Sequence, residues 1–160
     1  MSYLTRERFR EDVENHQFII LQIDTDVCND FEVSHIDHLG NLLTTHQLIE
    51  KVIEKLIIQI NNGQINFYQD YAGKIIFAIC VHSIECWLVA YYGKSENLLN
   101  CFSELKMFQF TNNIQIAKKV RNYDEISKPF LNQNNIERVK EKDFSFNYFI
   151  QQLSIINIHE

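Results

Sequence analysis

Asp24 and Asp26 stand one residue apart, directly after the apolar run Phe18, Ile19, Ile20, Leu21, Gln22 and Ile23. In open α/β sheets ligands gather beyond the carboxyl ends of the strands, and two carboxylates at such an end can reach one hard divalent cation. Mg²⁺ takes oxygen ligands at about 2.0–2.1 Å and fills its other positions with water or substrate phosphate; Mn²⁺ suits the same donors. The competing reading is a turn, which Asp also favours. Glu85 is the third carboxylate. It follows a second apolar run, in what reads as the first turn of a helix, where the helix dipole favours negative charge. With the two strands as neighbours, Asp24, Asp26 and Glu85 would meet at one sheet edge, the arrangement of metal-assisted phosphoryl chemistry. With the strands apart, Glu85 is simply a dipole partner. His82 and Ser83 flank the second carboxylate, His82 as a supporting group or general base and Ser83 as a helix cap.

The elements that must place these groups can be read from periodicity. Thr5 is in position to cap a short helix running to about His16, with Phe9 and Val13 one turn apart. Residues 18–23 read as a strand buried on both faces, as in a parallel sheet. Residues 27–43 are polar and read as a loop; their His35, Asp37 and His38, with Asp30 and Glu32, lack the spacing of a transition-metal site. Thr44 and Gln47 have capping-box spacing. The helix they open carries Leu48, Val52, Leu56 and Ile60 in one row, and Asn61, Asn62 and Gly63 end it. Residues 75–81 form a second apolar strand, and the helix from about Ile84 stops at Gly93. Trp87 and Tyr91, one turn apart on it, read as core.

A helix–strand–helix–strand–helix order implies an α/β fold: a small, mostly parallel sheet flanked by helices. Beyond Gly93 the pattern turns helical, around Leu98, Leu99, Phe102 and Leu105, near Ile116 to Val120, and finally at Phe146, Phe149, Ile150 and Leu153 behind a Ser145 cap; Lys128-Pro129 is a break. At 160 residues this reads as one domain, an α/β core over 1–93 and a helical extension over 94–160 packed on it.

The net charge of −6 argues against coating nucleic acid by bulk charge. Residues 1–93 carry −7 and residues 94–160 carry +1. Lys118, Lys119, Arg121 and Lys128 could face a phosphate backbone, although scattered cations more often mark a solvated helix face. No apolar run approaches the length of a membrane helix, and the first residues lack a signal-peptide core, so the expected location is the cytoplasm. Cys28, Cys80, Cys86 and Cys101 form no CxxC pair, and neither a disulfide framework nor a zinc site is expected.

Together, the Asp24-Thr25-Asp26 strand end, the crossover helix, the second strand and Ile84-Glu85-Cys86-Trp87-Leu88 resemble the second half of a Toprim domain. They are similar in particular to a group of uncharacterised Toprim-like proteins encoded near mobile elements and phage-defence genes. Ser145-Phe146-Asn147-Tyr148-Phe149-Ile150-Gln151-Gln152-Leu153 fits the closing helix of that group, and the resemblance spans residues 18–153. It implies Mg²⁺ held by Asp24 and Asp26, with Glu85 as a further ligand, and phosphodiester chemistry. This chain departs from the pattern upstream, where a strand followed by a glutamate is expected. Glu7, Glu11 and Glu14 lie instead on the first helix.

Three functions follow. The first is an Mg²⁺-dependent Toprim-like nuclease, or a subunit of a nucleic-acid-processing defence or mobile-element system, with Asp24, Asp26, Glu85 and His82 at its centre. The second is a non-catalytic interaction protein, an immunity factor, inhibitor or assembly subunit, in which a protein partner or second copy completes the sheet edge. The third, a haloacid-dehalogenase-like phosphatase with Asp24 as nucleophile, is disfavoured by Cys28 at the fifth motif position and by the lack of a later acidic pair.

Overall fold

The computed structural model describes residues 3–27, 32–93, 100–108 and 117–154. In chain order the elements are α1 (Glu7–Asn15), β1 (Ile19–Asp24), α2 (Thr45–Gly63), α3 (Phe67–Tyr71), β2 (Ile75–Cys80), α4 (Ile84–Tyr92), α5 (Cys101–Met107), α6 (Val120–Ser127), α7 (Gln133–Lys142) and α8 (Phe144–Ser154). The α/β class expected from the sequence is the class observed.

β1 and β2 pair in parallel, Ile19 opposite Ile75 and Asp24 opposite Cys80, and among the described residues they form a two-stranded sheet. α2 supplies the crossover. Its capping box is the one the sequence announces: Thr44 Oγ1 accepts from Gln47 N at 3.3 Å while Gln47 Oε1 accepts from Thr44 N at 3.0 Å. Gly63 ends α2 where the chain passes close to the entry of α1; a Cβ there would lie 2.9 Å from the Thr5 carbonyl oxygen.

One face of the sheet, through Ile75, Phe77 and Ile79, packs on a core built by Phe9 and Val13 of α1, Leu48, Ile49, Val52, Leu56 and Ile60 of α2, and Phe67 of α3. The other face, through Ala78 and Cys80, packs on Trp87 and Ala90 of α4, Val139 of α7 and Phe146 of α8. A third cluster joins α4, α5 and α6 through Leu88, Val89, Leu105 and Ile126.

β2 is buried at all six positions. α8 lies along it, and Gln152 hydrogen-bonds both backbone groups of Phe77, donating to its carbonyl at 2.7 Å and accepting from its N–H at 3.1 Å. A side-chain amide thus stands in for the next strand of the ladder. β1 differs from the expectation of a strand buried on both faces. Ile19, Leu21 and Ile23 lean on the first core, whereas Gln22 is exposed and Ile20 is 53% exposed, because α8 covers only β2.

Several local expectations are corrected. α1 begins at Glu7 without a side-chain cap, so Thr5 does not cap it. Ser145 lies inside α8; Asp143, just before the helix, accepts from Phe146 N at 2.9 Å, and Ser145 instead accepts from Trp87 Nε1 at 2.8 Å and donates to Asp143 at 2.6 Å. The weak helix near Val120 proves to start there and run to Ser127 as α6. α3 and α7 were not delimited by periodicity, being short or polar. Cys86 and Cys101 form a disulfide that ties the first turn of α4 to α5, where no disulfide framework is expected from the sequence. Fifteen residues apart in sequence, they are brought together by packing that no local spacing records. Leu98, Leu99, Ile116, Cys28 and Asp30 lie outside the described residues.

Candidate functional site

The carboxyl ends of β1 and β2 are locked together by backbone and one hydroxyl. Thr25, fully buried, accepts from His82 N through Oγ1 at 2.8 Å, and Asp26 N donates to the His82 carbonyl at 3.0 Å. His35 Nε2 reaches the Thr25 carbonyl at 3.0 Å, so the loop histidine serves as a tether. His82 takes a left-handed backbone conformation, with φ of +69°, a sparsely populated region for a residue with a Cβ. Its backbone, rather than its imidazole, joins the two strand ends.

This lock puts Asp24 at the start of α4. Its Oδ1 accepts from Ile84 N at 3.0 Å and from Gln22 Nε2 at 2.6 Å. Asp24 therefore caps α4 from a different strand, the task the sequence assigns to Ser83, whose side chain makes no cap bond. Such a carboxylate satisfies one of the unpaired N–H groups of the first turn and meets the positive end of the dipole. Burial first, then Asp26 and Glu85, push the Asp24 carboxyl above its ordinary value, and the hydrogen bonds from Gln22 and Ile84 oppose that shift. The two strand ends therefore meet at Asp24, which lies within electrostatic reach of Asp26 and Glu85.

Glu85 is almost fully enclosed, with 1% of its surface exposed. Tyr123 of α6 donates its hydroxyl to Oε1, and Lys118 Nζ stands 3.5 Å from the same oxygen. Among the described residues Oε2 has no hydrogen-bond partner. Burial works against ionisation, but the Tyr123 hydroxyl, the neighbouring Ser83 hydroxyl and Lys118 outweigh it, so the Glu85 carboxyl titrates below its ordinary value. The Tyr123 phenol is correspondingly held far above the usual phenol range, by burial and then by its bond to Glu85.

The geometry separates the sequence-derived candidates. Asp24 and Glu85 are buried or half-buried and already engaged, one by a helix N-terminus and the other by Tyr123 and Lys118. Asp26 is exposed. Among the described residues no three His, Cys, Asp or Glu side chains are grouped to hold one ion. The cations are dispersed in the same way: Lys118 pairs with Glu85 and Lys128 with Glu125 at 2.7 Å, while Lys119 and Arg121 form no ion pair among the described residues. Sequence reasoning missed Thr25 and Tyr123. Thr25 could have been suspected from its place between two aspartates; Tyr123, on a helix without strong periodicity, gave no local signal.

No family model matches the chain, and no curated protein and no solved structure matches it.

Proposed function

We propose that this chain is a non-catalytic interaction protein, an immunity factor, inhibitor or assembly subunit, whose β1 edge receives a strand from a protein partner. The observation that carries this reading is the asymmetry of the sheet. β2 is buried at every position and Gln152 holds both backbone groups of Phe77 on its outer side, while β1 offers a backbone edge with no strand beside it among the described residues and exposes Ile20. An uncovered apolar strand edge is a template for pairing with another chain. The carboxylates support the same reading, since Asp24 and Glu85 are committed to capping and packing. The test is size-exclusion chromatography with light scattering on the tagged chain from its own cells. A stoichiometric complex that Ile20→Asp dissolves without lowering the melting temperature is expected; a lone monomer, unaffected by that substitution, would sink the idea.

A second reading, an Mg²⁺- or Mn²⁺-dependent Toprim-like nuclease or subunit of a nucleic-acid-processing defence or mobile-element system, is favoured by one observation. Glu85 Oε2 is an enclosed carboxylate oxygen without a donor, in electrostatic range of Asp24. Such an atom is costly to leave unpaired, and a cation would relieve both it and the repulsion on Asp24. Calorimetric titration of Mg²⁺ and Mn²⁺ into the protein and into Asp24→Asn discriminates. Heat in the former alone supports this reading, and no heat in either removes it. Lys118, Lys119, Arg121 and Lys128 would then be the residues that lean on nucleic acid. No helix among the described residues is long and apolar enough to cross a membrane.

A further inference from the structure

A cavity of about 870 Å³ opens between α4, α6, α7 and α8. Its size falls in the range of pockets that enclose small molecules. Trp87 and Phe149 stack in its wall with ring centroids 5.4 Å apart and planes 13° from parallel, and Phe130 and Ile136 continue the apolar surface. Polar groups gather at one end: Tyr123 and Lys118, both turned to Glu85, and Asp124 on the rim.

The charges at that end are unequal. Lys118 is balanced by Glu85, and Lys128, within electrostatic reach of Asp124, is itself paired with Glu125. The Asp124 carboxylate makes no hydrogen bond and no ion pair among the described residues, and Asp24 adds to the negative field at Tyr123. An anionic ligand head would meet the Asp124 carboxylate, which Lys128, itself held by Glu125, offsets only in part. A cationic head would meet Asp124 over aromatic faces whose quadrupoles also attract cations.

We propose that this cavity binds a small hydrophobic cation, an aryl or alkyl group bearing a protonated amine, with the apolar body against Trp87 and Phe149 and the ammonium at Asp124. The site adjoins the strand ends through Tyr123 and Lys118, which hold Glu85, but its proposed ligand contact is Asp124. Trp87 is the one tryptophan of the chain, so its fluorescence reports directly on occupancy.

The experiment titrates three probes of one skeleton, phenylbutylammonium, phenylvalerate and phenylbutanol, into the full chain while following Trp87 emission. The amine should saturate, binding about ten-fold more tightly than the carboxylate, as expected for a desolvated cation–π contact joined to one carboxylate. Asp124→Asn, at an exposed position, should reduce the amine to the affinity of the alcohol and leave the alcohol unchanged. Ile136→Phe, which fills part of the apolar wall without adding charge, should weaken all three alike. Equal or tighter binding of the carboxylate overturns the choice of ligand, and an unaltered amine affinity in Asp124→Asn overturns the role of that residue. No saturable change with any probe overturns the site.

Discussion

β1 and β2 are two six-residue strands with three isoleucines each, joined in one ladder, yet the protein buries them differently. Ile75, Ile76, Phe77, Ala78, Ile79 and Cys80 are all buried, and Gln152 closes the outer edge of their strand. Ile20 and Gln22 of β1 face solvent on the side where α8 does not reach. The difference teaches that an apolar run shows only that a strand can be buried. What covers it is decided by elements elsewhere in the chain, here a helix that starts 64 residues after β2 ends. The buried strand stabilises the fold, and the other carries exposed Ile20 and Gln22.

The contrast can be broken most sharply by truncating each strand. Ile79→Ala removes a side chain with 1% exposure and should cost about 2–5 kcal/mol in denaturant unfolding. Gln152→Ala withdraws the amide from both Phe77 backbone groups and should cost about 1–3 kcal/mol, with faster hydrogen exchange at the Phe77 amide as its signature. Asp24→Ala removes the cap on α4 and should cost about 1 kcal/mol, largely restored by Asp24→Asn, which keeps an acceptor. Ile20→Thr on the bare side should stay within about 0.5 kcal/mol; a loss as large as that of Ile79→Ala would mean that β1 is not open.

Acid titration separates the two carboxylates in the same manner. The Glu85 carboxyl lies below its ordinary value, so it contributes stability that is present above that ordinary value and lost as pH falls through the folded one. The Asp24 carboxyl lies above its ordinary value, so its contribution is full below the unfolded value and is lost as pH rises through the folded one. Glu85→Gln should therefore flatten the acid limb of a stability–pH curve, and Asp24→Asn should remove a decline at slightly higher pH. Matching slopes in both variants would show that the two groups do not differ in environment.

Much of the architecture was legible from local patterning. The Thr44–Gln47 box, the Leu48–Val52–Leu56–Ile60 row, the two strands and the Gly93 stop all depend on groups a few residues apart, and each lies where periodicity places it. Caps supplied from a distance were not legible. Asp24 caps a helix 60 residues further on, so Ser83 looked like the cap and Asp24 looked like a free ligand. The same holds for Glu85, whose partner Tyr123 is 38 residues away, and for the Cys86–Cys101 bridge.

By itself, then, the sequence determined both strands and the helices with strong caps or apolar rows, that the strands run parallel, and that Asp24 and Asp26 stand at the carboxyl end of β1. Propensity, capping and hydrophobic period are properties of neighbouring residues. Tertiary structure alone decided that Asp24 is a cap and Glu85 one of a packed pair, that β2 is buried while β1 exposes Ile20 and Gln22, and that a cavity opens behind Trp87. Each of these outcomes depends on side chains brought together across tens of residues, and the chain's local order holds no record of such distances.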